Sequence, residues 1–277
     1  MHKKLLVTGS EGQLAKSFLK LFSNNYKIFY YDKKTLDISN CDQVIKILNE
    51  IQPEVILNCA AFTNVDLCED KEDLAYELNA NSLKNFSGFN GHFFHISTDY
   101  VFDGTSGPYY EDDITNPINV YGKSKLLGEL IVEDLFDKHT ILRTNILFGN
   151  DSSSSFLNWV VNSLKNNQEI KVVNDQINNP VSVYDCSRTI NQLIAESISG
   201  KYHLGSDNLC SRFDFAMKIA EVWNLDSNLV SEISTKQLKR TLPSFKAKRP
   251  LKSGLLSKFD FIPRYSLENS IKEIKNI

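Results

Sequence analysis

The sequence predicts an α/β fold: a doubly wound parallel sheet with helices on both faces, joined to a smaller mixed α/β region at the C-terminal end. Three observations carry this. Apolar strand-like runs alternate with helical patterns through the first half, which is the signature of a parallel sheet covered on both sides. A glycine turn follows the first run at once. The alternation stops near residue 150, where short runs and turn-rich loops take over.

The first run, Lys4-Leu5-Leu6-Val7, leads into Thr8-Gly9-Ser10-Glu11-Gly12-Gln13-Leu14-Ala15 and a predicted helix over 12–23. This reads as strand, glycine turn, helix, the start of a Rossmann-type domain. The glycines let the backbone approach a pyrophosphate, and the helix start offers free N–H groups and a positive dipole end. The spacing is G-x-x-G-x-x-A, with Ala15 small enough for close helix–strand packing. The second run, 27–31, ends in Asp32, twenty residues past Gly12. A carboxylate there suits an adenosine ribose. Lys33 and Lys34 follow, and a cation suits a 2′-phosphate, so both NAD(H) and NADP(H) stay open.

A helix is expected over 41–51, then the run Val55-Ile56-Leu57 ending in Asn58-Cys59-Ala60-Ala61. Next come a helix over 71–88, a strand over 92–96 ending in Ser97-Thr98-Asp99-Tyr100, a helix over 120–136, and the run Thr140-Ile141-Leu142 ending in Arg143-Thr144-Asn145. Ligands of such sheets sit beyond the carboxyl ends of the strands. Five strand ends therefore converge on one crevice. Beyond residue 150, Asp151 to Ser155 reads as a polar loop capping a helix over 156–166. A strand over 170–173, a loop over 174–180, a helix over 184–197, a short run over 202–204 and a helix over 213–223 follow. A basic loop over 246–253, a run over 255–259 and a last helix over 266–276 complete the chain. The expected division is a cofactor-binding domain over 1–150 and a mainly substrate-binding region over 151–277, interleaved with the first.

The chemistry concentrates in Thr98 and in Tyr121-Gly122-Lys123-Ser124-Lys125. Residues at i and i+4 share a helix face, so Tyr121 and Lys125 can address one ligand. A phenol titrates near ~10, and a neighbouring cation favours the phenolate. With the Thr98 hydroxyl beside them, the three can transfer a proton to or from a carbonyl/alcohol pair. Tyr-x-x-x-Lys alone also occurs as a packed ring beside a solvated amine; the upstream glycine turn gives it weight here.

Composition removes several classes. Net charge is −3, with no basic footprint for nucleic acid. No apolar run reaches the ~18 residues that span a bilayer. The first strand begins at residue 4 with no signal-peptide pattern. Five scattered cysteines (41, 59, 68, 186, 210) include no C-x-x-C pair, so neither a zinc site nor a disulfide framework is expected. His92, His95, His139 and His203 share no ligand spacing and are expected to be structural. No metal site is expected, and a cytoplasmic address is.

These stretches together resemble the extended short-chain dehydrogenase/reductase family, and within it the branch that reduces dTDP-linked 4-keto-6-deoxysugars. The matching residues are Thr8 to Leu14, Asn58-Cys59-Ala60-Ala61-Phe62-Thr63-Asn64-Val65-Asp66, Ser97-Thr98-Asp99-Tyr100-Val101-Phe102, Asn119 to Lys125, Gly128-Glu129, Arg143-Thr144, Asn174-Asp175-Gln176 and Lys248-Arg249-Pro250 with Ser253. The resemblance implies hydride reduction of a 4-keto group on a nucleotide-linked deoxysugar, feeding surface polysaccharide. It implies Thr98, Tyr121 and Lys125 as the catalytic residues. It implies Gly9, Glu11, Gly12, Gln13, Leu14, Asp32, Lys33, Asp37, Ile38, Cys59, Ala60, Ala61, Thr63, Tyr121 and Lys125 around NADP(H) or NAD(H). It implies Thr98, Asp99, Tyr100, Asn145, Ile146 and Arg249 around the nucleotide-sugar substrate, with a homodimer open.

The chain departs from the family pattern in three places. Asn145-Ile146 stands where an aromatic usually lines the sugar site, Ser17 where an acidic residue can take part in a magnesium-bridged dimer, and Lys248-Arg249 where two arginines are usual. Asp66 and Glu69 are open between substrate contact and helix capping. Two rival readings are a sugar-nucleotide epimerase and a non-catalytic regulatory subunit of a synthetase.

Overall fold

The computed structural model describes residues 2–150, 155–241 and 244–277. The expected polar loop at Asp151 to Ser154 lies outside them; Ser155, which is described, caps the next helix by accepting from Asn158 N.

The first half runs β1 (Lys4–Thr8), α1 (Gln13–Phe22), β2 (Lys27–Tyr31), α2 (Cys41–Ile51), β3 (Val55–Asn58), α3 (Val65–Asp70), α4 (Glu72–Asn79), β4 (His92–Thr98), α5 (Val120–Leu135) and β5 (His139–Thr144). Then come β6 (Leu147–Phe148), α6 (Phe156–Lys165), β7 (Ile170–Val173), β8 (Ile177–Asn178), β9 (Val181–Ser182), α7 (Val183–Ala195), β10 (Gly200–Leu204), β11 (Cys210–Ser211), α8 (Arg212–Trp223), β12 (Val230–Ile233), α9 (Thr235–Thr241) and α10 (Leu267–Asn276).

Six strands form one parallel sheet in the order β10-β5-β4-β3-β1-β2. From β1 the chain builds outward to β2 on one side, then crosses to β3 on the other. The order thus reverses between β1 and β3, where a crevice opens in sheets of this kind. Side chains alternate between faces along a strand. Leu5 and Val7 accordingly pack with Phe18 of α1 and Ile190 of α7. Leu6, Ile56, Phe93 and Ile141 pack on the opposite face with Leu83 and Val132. Each such buried side chain contributes about 1.5–3 kcal/mol. A further core, including Phe148, Val160, Val172, Phe215 and Ile271, holds the C-terminal elements together. The chain beyond residue 150 is not a separate block, since α7 packs on the first sheet face and β10 pairs with β5.

Two expectations differ: β10, read as a run of the C-terminal region, joins the main sheet, and the helix over 71–88 is broken. Instead of a continuous helix over 71–88 there are α4 and a 3-10 turn at Asn81–Phe86, and α3 stands just before them, where no helix was expected. Asn79 explains the break. Its buried amide receives Phe62 N at 2.7 Å, donates to Phe62 O at 3.1 Å and donates to Ser124 Oγ at 3.0 Å. Its carbonyl stands 2.3 Å from where a side chain at Gly128 would begin. Pinning the chain here brings α4 against α5, and Ala80 leaves the helical region (φ −135°, ψ −67°).

Candidate active site

The glycine turn stands at the reversal point. Gly9 has φ +68°, and a Cβ there would lie 2.7 Å from Ala60 N and Cα, so the turn presses onto the chain leaving β3. Only glycine takes that backbone and that approach without strain. Gly12 begins α1 with no side-chain cap. The N–H groups of the first turn are therefore free for a ligand.

A cleft of about 370 Å³ opens beyond these strand ends. Of the expected cofactor residues, Gly9, Glu11, Gly12, Asp32, Lys33, Asp37, Ile38, Cys59, Ala60, Ala61 and Thr63 line it, together with Lys34, Leu36 and Leu78. Leu14 does not, because its side chain is buried in the core under the sheet and only its backbone can serve the cleft. Gln13 faces a neighbouring cavity instead, donating to Leu147 O at 3.2 Å. Asp32 is partly engaged by its own turn: Oδ1 accepts from Lys34 N, Thr35 N and Thr35 Oγ1 at 3.0, 2.9 and 2.6 Å. The Thr35 hydroxyl chiefly lowers its pKa, keeping it ionised. Cys59 borders the cleft, and burial pushes its thiol up to about 12, so it acts as a small neutral wall. An uncapped helix start, a glycine-built approach and a carboxylate twenty residues on fit a nicotinamide dinucleotide.

Thr63 also borders the second cavity, of about 460 Å³, lined by Thr98, Asp99, Tyr100, Tyr121, Asn145 and Ile146. Asn119 starts α5 here, its Oδ1 accepting from Gly122 N, and a Cβ at Gly122 would stand 2.1 Å from Tyr100 O. That contact sets Tyr121 against the end of β4. The Tyr121 ring lines this cavity together with Thr98 and meets Tyr100 edge-on at 5.6 Å. Asp99 is buried, accepting from Ser253 Oγ at 2.5 Å and Thr98 Oγ1 at 3.1 Å. Burial raises its carboxyl to about 6 against those hydrogen bonds.

The expected effect of Lys125 on Tyr121 is not present in this state. Burial raises the Tyr121 phenol above its ordinary range, with the nearby Thr98 side chain the opposing influence. Lys125 Nζ instead donates to Ile96 O at 2.6 Å and lies 3.1 Å from His95 Nε2. Burial draws it down to about 8, against the attraction of Glu129. His95 Nδ1 meets Asn58 Nδ2 at 3.1 Å, and Thr8 Oγ1 donates to Asn58 Oδ1 at 2.6 Å. A buried polar line thus runs from the strand before the glycine turn to Lys125. His95 has a position in the site that its spacing did not show; its one sequence signal is standing three residues before Thr98.

Arg143, at the end of β5, turns away from the crevice. It is fully buried, with Nη2 2.7 Å from Glu129 Oε2 and Nε 2.9 Å from Oε1, and Ser97 donates to the same carboxylate. Glu69 caps α5 by accepting from Val120 N at 2.9 Å. Asp66 accepts from Lys246 N and Ala247 N and pairs with Arg249 Nη2 at 2.6 Å, so the basic loop is fastened to α3.

A third cavity, of about 300 Å³, continues from the second and contains Arg249 with Lys171, Gln176, Phe245 and Leu238. Phe156, Trp159 and Arg212 line both. None of these three was among the expected site residues. They come from two distant helix starts in the C-terminal half, and no local motif marks them. Gln13 Oε1 and Asn145 Oδ1, both bordering the second cavity, have no hydrogen-bond partner among the described residues. Such buried acceptors are costly unless a ligand meets them, and sugar hydroxyls would.

Residues 3–262 match the family described as RmlD substrate binding domain. The dTDP-4-dehydrorhamnose reductase of Aggregatibacter actinomycetemcomitans is 38% identical over 229 residues, covering 78% of each chain. Among solved structures, the dTDP-4-dehydrorhamnose reductase of Bacillus anthracis in complex with NADP superposes with TM-score 0.93 at 36% identity, covering 100% of this chain and 99% of that one. The ortholog from Clostridium acetobutylicum gives 0.90 at 36% identity over 99% and 98%. With a family match over nearly its whole length, the glycine turn at one cavity, and Thr98 and Tyr121 at the adjoining one, this chain belongs to the RmlD substrate binding domain family.

Proposed function

We propose that this protein is a cytoplasmic NADP(H)- or NAD(H)-dependent reductase of the 4-keto group of a nucleotide-linked 6-deoxysugar, of the dTDP-4-dehydrorhamnose type, serving polysaccharide precursor synthesis. The observation that carries it is that Thr98 and Tyr121 line one cavity, which meets the cleft at the glycine turn through Thr63. A nicotinamide dinucleotide, when bound, supplies hydride to the substrate carbonyl. Gly9, Gly12 and the α1 N-terminus would hold its pyrophosphate, and Asp32 and Lys33 its adenosine ribose.

Thr98 orients the carbonyl oxygen and Tyr121 gives it the proton. A phenol held above its ordinary pKa by burial is protonated at the outset, which suits a reduction. Lys125, one helical turn on, would support the cofactor ribose and the phenolate left after transfer once its Nζ turns from Ile96 O and His95. The reading includes Asp99, Tyr100, Asn145 and Ile146 as walls of the sugar site, and a homodimer, which sedimentation tests. No helix among the described residues is long and apolar enough to cross a membrane.

Tyr121→Phe keeps the ring and removes the proton. Turnover of dTDP-4-dehydrorhamnose is expected to fall by about 10²–10⁴-fold, the usual contribution of a positioned acid, while NADPH affinity stays within a few-fold of the parent. Undiminished turnover would overturn the mechanism. Stoichiometric oxidised NAD carried through purification, with no net NAD(P)H consumption, would point to the epimerase. Absence of reductase activity together with co-purification of a synthetase would point to the regulatory subunit.

A further inference from the structure

Resting on that functional reading, we propose that Arg212, rather than Arg249, is the cation that holds the diphosphate of the nucleotide-linked substrate, at the waist where the second and third cavities meet. Arg249 is already neutralised. Its Nη2 pairs with Asp66 at 2.6 Å, its Nη1 donates to Ala247 O at 3.1 Å, and its guanidinium stacks 4.5 Å over Phe245. Its charge is committed to fastening its own loop.

Arg212 is arranged in the opposite way. Among the described residues it makes no ion pair, and its one side-chain hydrogen bond runs from Nε to Gln176 Oε1 at 3.1 Å. Gln176 is itself fixed: its Nε2 donates to Thr235 Oγ1 at 2.9 Å, and Thr235 is held by Asp175 at 2.6 Å. The oxygen of that buried amide must therefore face Arg212. The guanidinium also lies 5.7 Å from the Phe156 ring centroid, which favours its charge. Nε is thus used for positioning, and both Nη groups stay available as the two-pronged donor that suits phosphate. Asp99 has an electrostatic link to Arg212, but its oxygens are taken by Ser253 and Thr98. With Arg212 at the waist, the sugar falls on the Thr98–Tyr121 side and the base on the Lys171–Phe245 side.

The test is calorimetric titration, with NADPH present, of dTDP, UDP, GDP and CDP, and then of the best diphosphate against its parent nucleoside, into the wild type, Arg212→Gln, Arg212→Lys and Arg249→Gln. For Arg212→Gln the expected result is a diphosphate Kd raised about 10- to 100-fold, the range of one or two charge-assisted hydrogen bonds. Nucleoside and NADPH affinities should be unchanged. Arg212→Lys should recover part of the loss, and the KM for dTDP-4-dehydrorhamnose should rise by more than kcat falls. A wild type that binds a diphosphate, with Arg212→Gln binding it equally well, overturns this inference alone. So does a selective loss of the diphosphate in Arg249→Gln but not in Arg212→Gln. A wild type that binds none of the four diphosphates overturns the functional reading and this inference with it.

Discussion

The two halves of the crevice are built by different means. The proposed cofactor side is made largely of backbone: a glycine turn, an uncapped helix start and the strand ends of β1, β2 and β3, all within the first 63 residues apart from Leu78. The substrate side is made of side chains. Phe156, Trp159, Lys171, Gln176, Arg212, Phe245 and Arg249 reach it from α6, β7, α8 and loops spread over about a hundred residues. A backbone site tolerates few changes but leaves its outline in sequence as glycine spacing. A side-chain site can be rebuilt residue by residue, which lets one fold serve different sugars.

This contrast predicts where substitutions hurt most. The largest effect is expected at Gly9→Val. A β-branched residue at φ +68° is strained, and its Cβ would strike Ala60 at 2.7 Å. NADPH affinity should fall by at least about 100-fold in a fluorescence titration, the counterpart of about 3 kcal/mol, with a lower melting temperature. Near-normal affinity would mean that this side is not backbone-built.

A smaller effect is expected where the halves join, at Lys125. Its ammonium, drawn down to about 8 by burial, is lost as pH rises through that value. The kcat/KM profile should therefore fall on its alkaline side near pH 8. His95→Leu removes a polar neighbour and deepens the desolvation, which moves this limb to lower pH, by about one unit. An unmoved limb would separate Lys125 from the buried line that ends on it.

The smallest effect is expected at Lys33→Ala, an exposed charge at the rim of the cofactor cleft. NADPH binding should weaken a few-fold and NADH binding less, as befits a screened surface charge. Equal changes for both cofactors would mark the lysine as a solvated turn residue.

What could be read from sequence followed the same division. Five of the six strands and the residues at their ends were legible because apolar runs, glycines and a carboxylate at fixed spacing are local signals; β10 was read as a run of the C-terminal region because its partner β5 is about sixty residues away. The break at Asn79 was not, because its cause is an amide bonded to Phe62 and Ser124. Nor was the inward turn of Arg143, whose partner Glu129 lies on another element. Arg249 was expected at the substrate, and its pairing with Asp66 was not legible because the two stand 183 residues apart in the chain. Phe156, Trp159 and Arg212 carry no motif; only the packing of α6 and α8 brings them to the crevice.

The position of β10 has a consequence for how the molecule is made. β5 emerges from the ribosome with one edge unpaired, and its partner follows only after α6 and α7 have been translated. At about 5–20 residues per second the nascent chain carries that open edge for several seconds. Bare edges invite pairing with other chains. A product truncated near residue 150 would therefore be not a small working cofactor domain but a sticky intermediate, and the cell gains a finished nucleotide crevice only when the substrate half is also in place.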